Sequence, residues 1–300
     1  MINLKIPVGI SDFEKIRKNQ YYFVDKSGLI EELLNTESNE VTLITRPRRF
    51  GKTLGMSMLA SFFDIRRDSS ELFRGLKISQ KEELCQKWMN QYPVLFVTFK
   101  DVDGLDFQSA KEMLRIQIAD RCNEYLCLIS SEKVNENDKA IFRQLADVVK
   151  GDVSDAMLKT GIALIMRMLQ DYYEKPVILL LDEYDVPLAK ASAHGYYTEM
   201  LEVMRAMIST ALKDNPSLRF AVVTGCLRIS RESIFTGTNN FVSDTISDSN
   251  LNEYFGFTQK DVDKILSEAD VEEFGDEMKK WYDGYHFGEV DVYCPWDVMN

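Results

Sequence analysis

Short, nearly continuous runs of apolar residues alternate along this chain with longer stretches in which apolar side chains recur every three or four positions. VTLIT (41–45), PVLFVTF (93–99), PVILLLD (176–182) and LRFAVVTG (218–225) are of the first kind. Runs without polar alternation predict strands buried on both faces, as in a parallel sheet. Leu158, Ile162, Ile165, Leu169 and Tyr172 are of the second kind, as are Leu201, Met204, Ile208 and Ala211, and Ala110, Leu114, Ile118, Cys122 and Tyr125. That spacing predicts amphipathic helices. Strands alternating with helices predict an α/β fold in which a parallel sheet is sandwiched by helices. A weaker fifth strand is expected within 241–247.

The character changes near residue 250. Thr258, with Asp261 three positions later, predicts a helix N-terminus opening TQKDVDKILSEA. A second helix is expected near 271–282, and then a Gly- and aromatic-rich segment, WYDGYHFGEVDVYCPWDVMN, with short β character. The chain stops at Asn300 inside what reads as the start of another helix, the pattern of a fragment. No Pro/Gly/Ser linker or internal repeat marks a boundary. The expected organisation is an α/β domain over 1–250 and a small lid or winged-helix-like subdomain over 251–300, cut short at its end.

Composition narrows the function classes. Of 300 residues 45% are hydrophobic and 28% charged, ordinary for a chain that buries a sizeable core. Thirty-six Lys and Arg against 48 Asp and Glu give a net charge of −12. That balance argues against strong nucleic-acid binding or an anionic-membrane surface, both of which need a basic face. No apolar run is long enough for a membrane span, and the N-terminus lacks a signal-peptide core, so a cytoplasmic location is expected. Five scattered cysteines without a CxxC pair, and only two histidines (His194 and His286), make free buried thiols the expectation and a zinc site not. The Met-rich helices read as core filler. Glu277-Met278-Lys279 matches the E-x-K of some nucleases but falls in a helical pattern.

The chemistry concentrates where VTLIT runs into RPRRFGKT and then the helical LGMSMLASFF. Strand, tight loop ending in Gly51-Lys52-Thr53, and helix are the context of a Walker A phosphate-binding loop. There, successive backbone N–H groups at the helix N-terminus cradle phosphate oxygens. The candidate nucleotide contacts are Arg48, Arg49, Phe50, Gly51, Lys52, Thr53 and Leu54. Lys52 is expected to bridge the β- and γ-phosphates, and the Thr53 hydroxyl to hold Mg²⁺. One position departs from the pattern. The glycine expected six residues before the lysine is Arg46, so the loop must turn there with negative φ.

Far downstream, VILLL ends in Asp182-Glu183, a buried strand delivering a carboxylate to its C-terminal edge, as a Walker B strand does. Asp182 is the second candidate Mg²⁺ ligand. Glu183 is the candidate catalytic residue that orients or deprotonates the attacking water. Asp185 reads either as a supporting acid or, preferably, as a surface turn before Pro187. The next strand ends in Thr224-Gly225, where the threonine either senses the γ-phosphate or simply ends the strand. Beyond it, Arg228 and, as the weaker candidate, Arg231 either stabilise charge on the transferring phosphoryl group or open a solvated helix.

Taken together, IPVGISDFEKI, YYFVDKSGLI, TLITRPRRFGKTLGMSML, VILLLDEYDVPL, TGCLRISRESIFTGTNNF, YFGFT and WYDGYHFG…VYCPWDVMN resemble the bacterial AAA-ATPase-like proteins. In these a P-loop domain usually precedes a PD-(D/E)XK nuclease-like domain. The resemblance covers nearly all of the chain. It implies ATP or ADP binding with Mg²⁺ and ATP hydrolysis on a fold akin to AAA+ and STAND ATPases, and it makes RPRRFGKT the usual form of the loop. It assigns Lys52 and Thr53 to Walker A, Asp182 and Glu183 to Walker B, and Arg228 to the arginine after the sensor strand. It also implies, more loosely, that Gly9, Ile10 and Phe13 wrap the adenine and that Pro295 touches the nucleotide from a lid. The function expected is an Mg²⁺-dependent ATPase that drives or switches an attached or partner effector, with a homo-oligomer as one arrangement of the arginine. The alternatives are a nucleotide-held switch with negligible turnover, and the ATPase module of a nuclease or DNA-processing protein. Nuclease activity is not expected of this chain.

Overall fold

A computed structural model describes residues 4–35, 40–149, 153–226, 234–235, 241–248 and 250–300. The chain divides into two compact units, each discontinuous in sequence: 1–37, 44–91 and 243–300 form one, and 38–43 and 92–242 the other.

The strands of the main sheet are β1 (Val41–Thr45), β2 (Val94–Thr98), β3 (Val177–Asp182), β4 (Leu218–Gly225) and β5 (Phe241–Asp244), in the order β2-β3-β4-β1-β5. Strands β2, β3 and β4 lie wholly in the second unit, which also holds the first residues of β1 and β5. β3 runs parallel to both neighbours, with Leu179 opposite Leu95 and Ala221. Every residue of β3 is buried, so both faces are covered, which is what an unbroken VILLL run encodes. Ala221 N–H donates to the Glu40 carbonyl at 2.8 Å, tying the entry of β1 to β4. The helices Phe107–Glu124, Asp155–Tyr173 and Tyr197–Leu212 flank the sheet and put Leu114, Ile118, Ile162, Ile165, Leu169, Met204 and Ile208 into one core with Val41, Leu95 and Leu181. The α/β expectation therefore holds, and the fifth strand is the short 241–244 segment. Asp106, Asn135 and Ser154 cap the helices that follow them by accepting backbone N–H bonds.

The first unit begins with the helices Phe13–Lys18 and Gly28–Asn35 and takes in the loop after β1 and the helix Lys52–Phe63. Phe13 N–H donates to Ser57 Oγ at 3.0 Å, and Phe13, Phe62, Phe63, Phe73 and Trp88 interlock through mostly edge-to-face ring contacts. The C-terminal segment adds β6 (Phe257–Thr258), the helices Gln259–Ala269 and Gly275–Tyr282, and the hairpin strands β7 (Asp283–Phe287) and β8 (Val290–Tyr293), which form an antiparallel sheet in the order β6-β8-β7. Thr258 and Asp261 form the expected capping box. Lys26 adds an ion pair to Asp261 at 2.6 Å. Burial opposes the charge on Asp261, but Lys26 and the Thr258 donors outweigh it and hold the carboxyl below its ordinary range.

No described helix is long and apolar enough to cross a membrane. The cysteines are unbonded, but only Cys122 and Cys294 are buried, and Cys127 is exposed. Burial pushes the Cys122 thiol up to about 12.

Candidate functional site

β1 delivers the chain at Thr45 into the loop 46–51. Arg49 and Gly51 take left-handed backbone angles, with φ of 71° and 81°, whereas Arg46 does not, as its side chain requires. A Cβ on Gly51 would meet nothing within 4 Å, so the loop opens onto free space at this point. Gly51 is also the N-cap of Lys52–Phe63, and no side chain caps that helix. The first helical bond is Gly55 N–H to the Gly51 carbonyl at 2.8 Å. An uncapped helix start behind a left-handed glycine presents backbone N–H groups and the positive end of the helix dipole, which is the local chemistry of an anion cradle.

The loop is tied down from within and from the C-terminal segment. Lys52 is buried, and its Nζ donates to the carbonyls of Arg46 at 2.9 Å and Pro47 at 2.8 Å, drawing the loop around the ammonium. Arg46 is fully buried and pairs with Asp244. Desolvation lowers the Arg46 pKa, and it raises that of Asp244 against the opposing pull of the guanidinium. Phe50 is enclosed by Tyr285 and Phe287, with ring centroids at 4.8 and 5.1 Å, so its contact with a ligand is limited to the main chain. Arg49 is exposed and lies over Trp296 at 4.8 Å, while Arg48 and Gly51 are also exposed and Thr53 and Leu54 half-buried.

In the other unit β3 ends in a fully buried Asp182, whose carboxylate accepts a short hydrogen bond from the Thr224 hydroxyl at the tip of β4. The two candidates thus come together across adjacent strands. Glu183 follows, half-buried, with a φ of 55°. A glutamate held in the left-handed region is strained by about 1 kcal/mol or more, and such strain collects at sites where the surroundings over-determine the backbone. Asp185 is not the surface turn preferred from the sequence: it is buried at 2% exposure, and its Oδ2 accepts the Cys226 N–H at 3.1 Å. The signal that identifies it is the Asp-Val-Pro string, where an acid precedes a helix with proline in its first turn.

Gly225 explains why these strand ends need so small a residue. A Cβ there would lie 2.6 Å from both Asp185 Oδ1 and the Tyr184 ring. Tyr184 is fully buried against Phe235, so neither neighbour is free to swing away. Gly225→Ala is expected to lose about 1–3 kcal/mol of stability, measured by urea denaturation. A loss under about 0.5 kcal/mol would show the site to be looser than this geometry.

Arg228 and Arg231 lie outside the described residues. Phe13, assigned loosely to the adenine, is instead core: fully buried, with Phe23 and Phe73 against its ring. Gly9 turns at a φ of 73°, and Pro295 opens the helix Pro295–Met299. His286 pairs with Asp291 on the surface and His194 stacks on Tyr196. The Glu277-Met278-Lys279 string is helical, as its pattern predicts. Two residues escaped the sequence reading altogether, Asp244 and Asn252, whose side chains hold Arg46.

A protein of Azotobacter chroococcum mcd 1, described as an uncharacterized protein in the vnfD 5' region, is 29% identical over 306 residues. That match takes in all of this chain but 52% of the relative, so the chain spans about half of the relative's length. No solved structure matches. The family described as AAA-ATPase-like, a predicted AAA-ATPase, matches residues 7–235, and with a match over well more than half of its length the chain belongs to the AAA-ATPase-like family.

Proposed function

We propose that this chain binds ATP with Mg²⁺ and hydrolyses it to switch an attached or partner effector. The observation that carries the reading is the loop 46–53. It has a left-handed glycine open to space, an uncapped twelve-residue helix behind it, and a lysine that gathers the loop carbonyls around its ammonium. Each of these favours a polyphosphate over a neutral ligand.

On this reading Lys52 neutralises the β- and γ-phosphates and the loop N–H groups orient them. The Thr53 hydroxyl and the Asp182 carboxylate are hard oxygen donors of the kind Mg²⁺ takes. The ion supplies neutralisation of the phosphate charge. The Thr224 hydroxyl donates a hydrogen bond to Asp182, which fixes the direction of one carboxylate oxygen. Glu183 accepts a proton from the water whose oxygen bonds to the γ-phosphorus in line, as the γ-phosphorus bond to the bridging oxygen breaks and ADP leaves with that oxygen. The exposed Arg48 and Arg49 add positive potential at the loop mouth. An effector is proposed because the relative extends well past the matched region.

The deciding measurement is phosphate release from ATP by the purified chain with Mg²⁺ and with EDTA. Release that stops with EDTA is the expected result. Tight nucleotide binding without release would replace the hydrolase with a nucleotide-held switch, and no binding at all would sink both.

A further inference from the structure

Four basic side chains lie in the loop 46–53, and one of them, at its start, is turned into the protein interior. Arg46 is fully buried. Its Nη1 donates to the carbonyls of Thr45 at 2.9 Å and Asp244 at 3.0 Å, and its Nη2 to the carboxylate of Asp244 and to Asn252 Oδ1 at 2.9 Å. The guanidinium lies 5.4 Å from the ring centroids of both Phe255 and Phe287. The Asn252 amide in turn donates to the carbonyls of Phe287, at 2.8 Å, and Asp248. The backbone carbonyl of the same Arg46 accepts from Lys52 Nζ. A continuous chain of bonds therefore runs from β7 through Asn252 and Arg46 to the loop lysine.

We propose that Asp244 and Asn252 are positioning residues of the phosphate loop, acting through Arg46 to fix the carbonyl on which Lys52 rests. The inference rests on the nucleotide reading above and adds to it the control of loop geometry by residues 198 and 206 positions away in sequence. A loop with glycine at position 46 would have no side chain to tether there. This loop uses a planar, five-donor cation, whose fork suits one carboxylate and several carbonyls at once. Stability alone does not account for the pair. Arg46 Nε and Asp244 Oδ2 are buried without a hydrogen-bond partner among the described residues, and apolar residues of similar volume commonly replace such pairs without loss. What apolar residues would not supply is a fixed direction for the loop.

The test is the affinity of the full chain for Mg-ATP, by calorimetry, in Asp244→Asn, Arg46→Met and the double variant. Asp244→Asn is expected to weaken binding about tenfold or more, because it leaves the buried guanidinium that orients the loop without its counter-charge. The double variant is expected to bind no more weakly than Arg46→Met, since Asp244 acts only through the arginine. Tyr125→Phe breaks the buried hydroxyl bond to the Val94 carbonyl in the other unit. It is the control: lower melting temperature, unchanged affinity. If Asp244→Asn does not fold, Asn252→Ala takes its place, with the same direction expected and greater amide exchange over 46–53. Wild-type affinity in the folded variants, or additive losses in the double, overturns the proposal alone. No binding by the wild type overturns it together with the nucleotide reading.

Discussion

Glu183→Gln is expected to leave Mg-ATP affinity within a few-fold of wild type while phosphate release falls by about 10²–10⁴-fold, the usual contribution of a positioned general base. The substitution keeps the shape of the side chain and removes only its capacity to take a proton. The backbone beneath it is unusual. Glu183 sits at a φ of 55°, directly after six buried residues of β3, and Val186 N–H donates to its carbonyl at 3.1 Å to close the turn. A residue held this way has its side-chain direction set by the strand end, so glutamine occupies the same place. The two parameters separate the roles. A fall in turnover with binding retained marks a group used in the transition state, whereas a matched loss of both marks one used in binding. Undiminished release in Glu183→Gln would move the base elsewhere, with Asp185 the next carboxylate along the chain.

The contrast between local and distant determinants runs through this molecule. β3 and its acidic end were legible because an unbroken apolar run buried on both faces has few other readings, and all six residues of the strand are buried. The helices were legible from their periodicity: Leu158, Ile162, Ile165 and Leu169 all reach the core. The Thr258–Asp261 box is encoded within four residues and appears as written. The partners of Arg46 are a different matter. A lone arginine in the glycine position reads as a departure from a pattern, and nothing near it in the chain announces that a carboxylate 198 residues on neutralises it. Asp185 departs from its local signal for a related reason. An acid before Val-Pro favours a surface turn on local grounds, yet a bond to the Cys226 N–H buries it, and that bond depends on strands pairing in space. Phe13 belongs to a string whose resemblance implies wrapping of the adenine, while the rings that enclose it come from positions 23 and 73. Local periodicity carries the elements; the polar contacts that shape the loop are set by tertiary pairing.

Lys52→Ala is expected to lower nucleotide affinity by about 100-fold or more and to abolish release, and two losses combine in it. The first is the ammonium itself: charge-assisted bonds to phosphate are each worth about 1.5–3 kcal/mol, and every 1.4 kcal/mol is about tenfold in affinity. The second is internal. Lys52 Nζ is the donor to the Arg46 and Pro47 carbonyls, at 2.9 and 2.8 Å, so alanine removes the group that gathers the loop as well as the group that meets the ligand. Lys52→Arg separates the two. It keeps the charge, but a planar guanidinium on a longer stem does not place a single ammonium between two carbonyls in a buried position with 5% exposure. If charge alone matters, Lys52→Arg retains most of the affinity; if the gathering of the loop matters, it falls nearly as far as alanine. The second outcome is expected, because the fixed Arg46 leaves its carbonyl no freedom to follow a displaced donor. Calorimetric titration of Mg-ATP against wild type and both variants decides it, and alanine binding as tightly as wild type would remove Lys52 from the site.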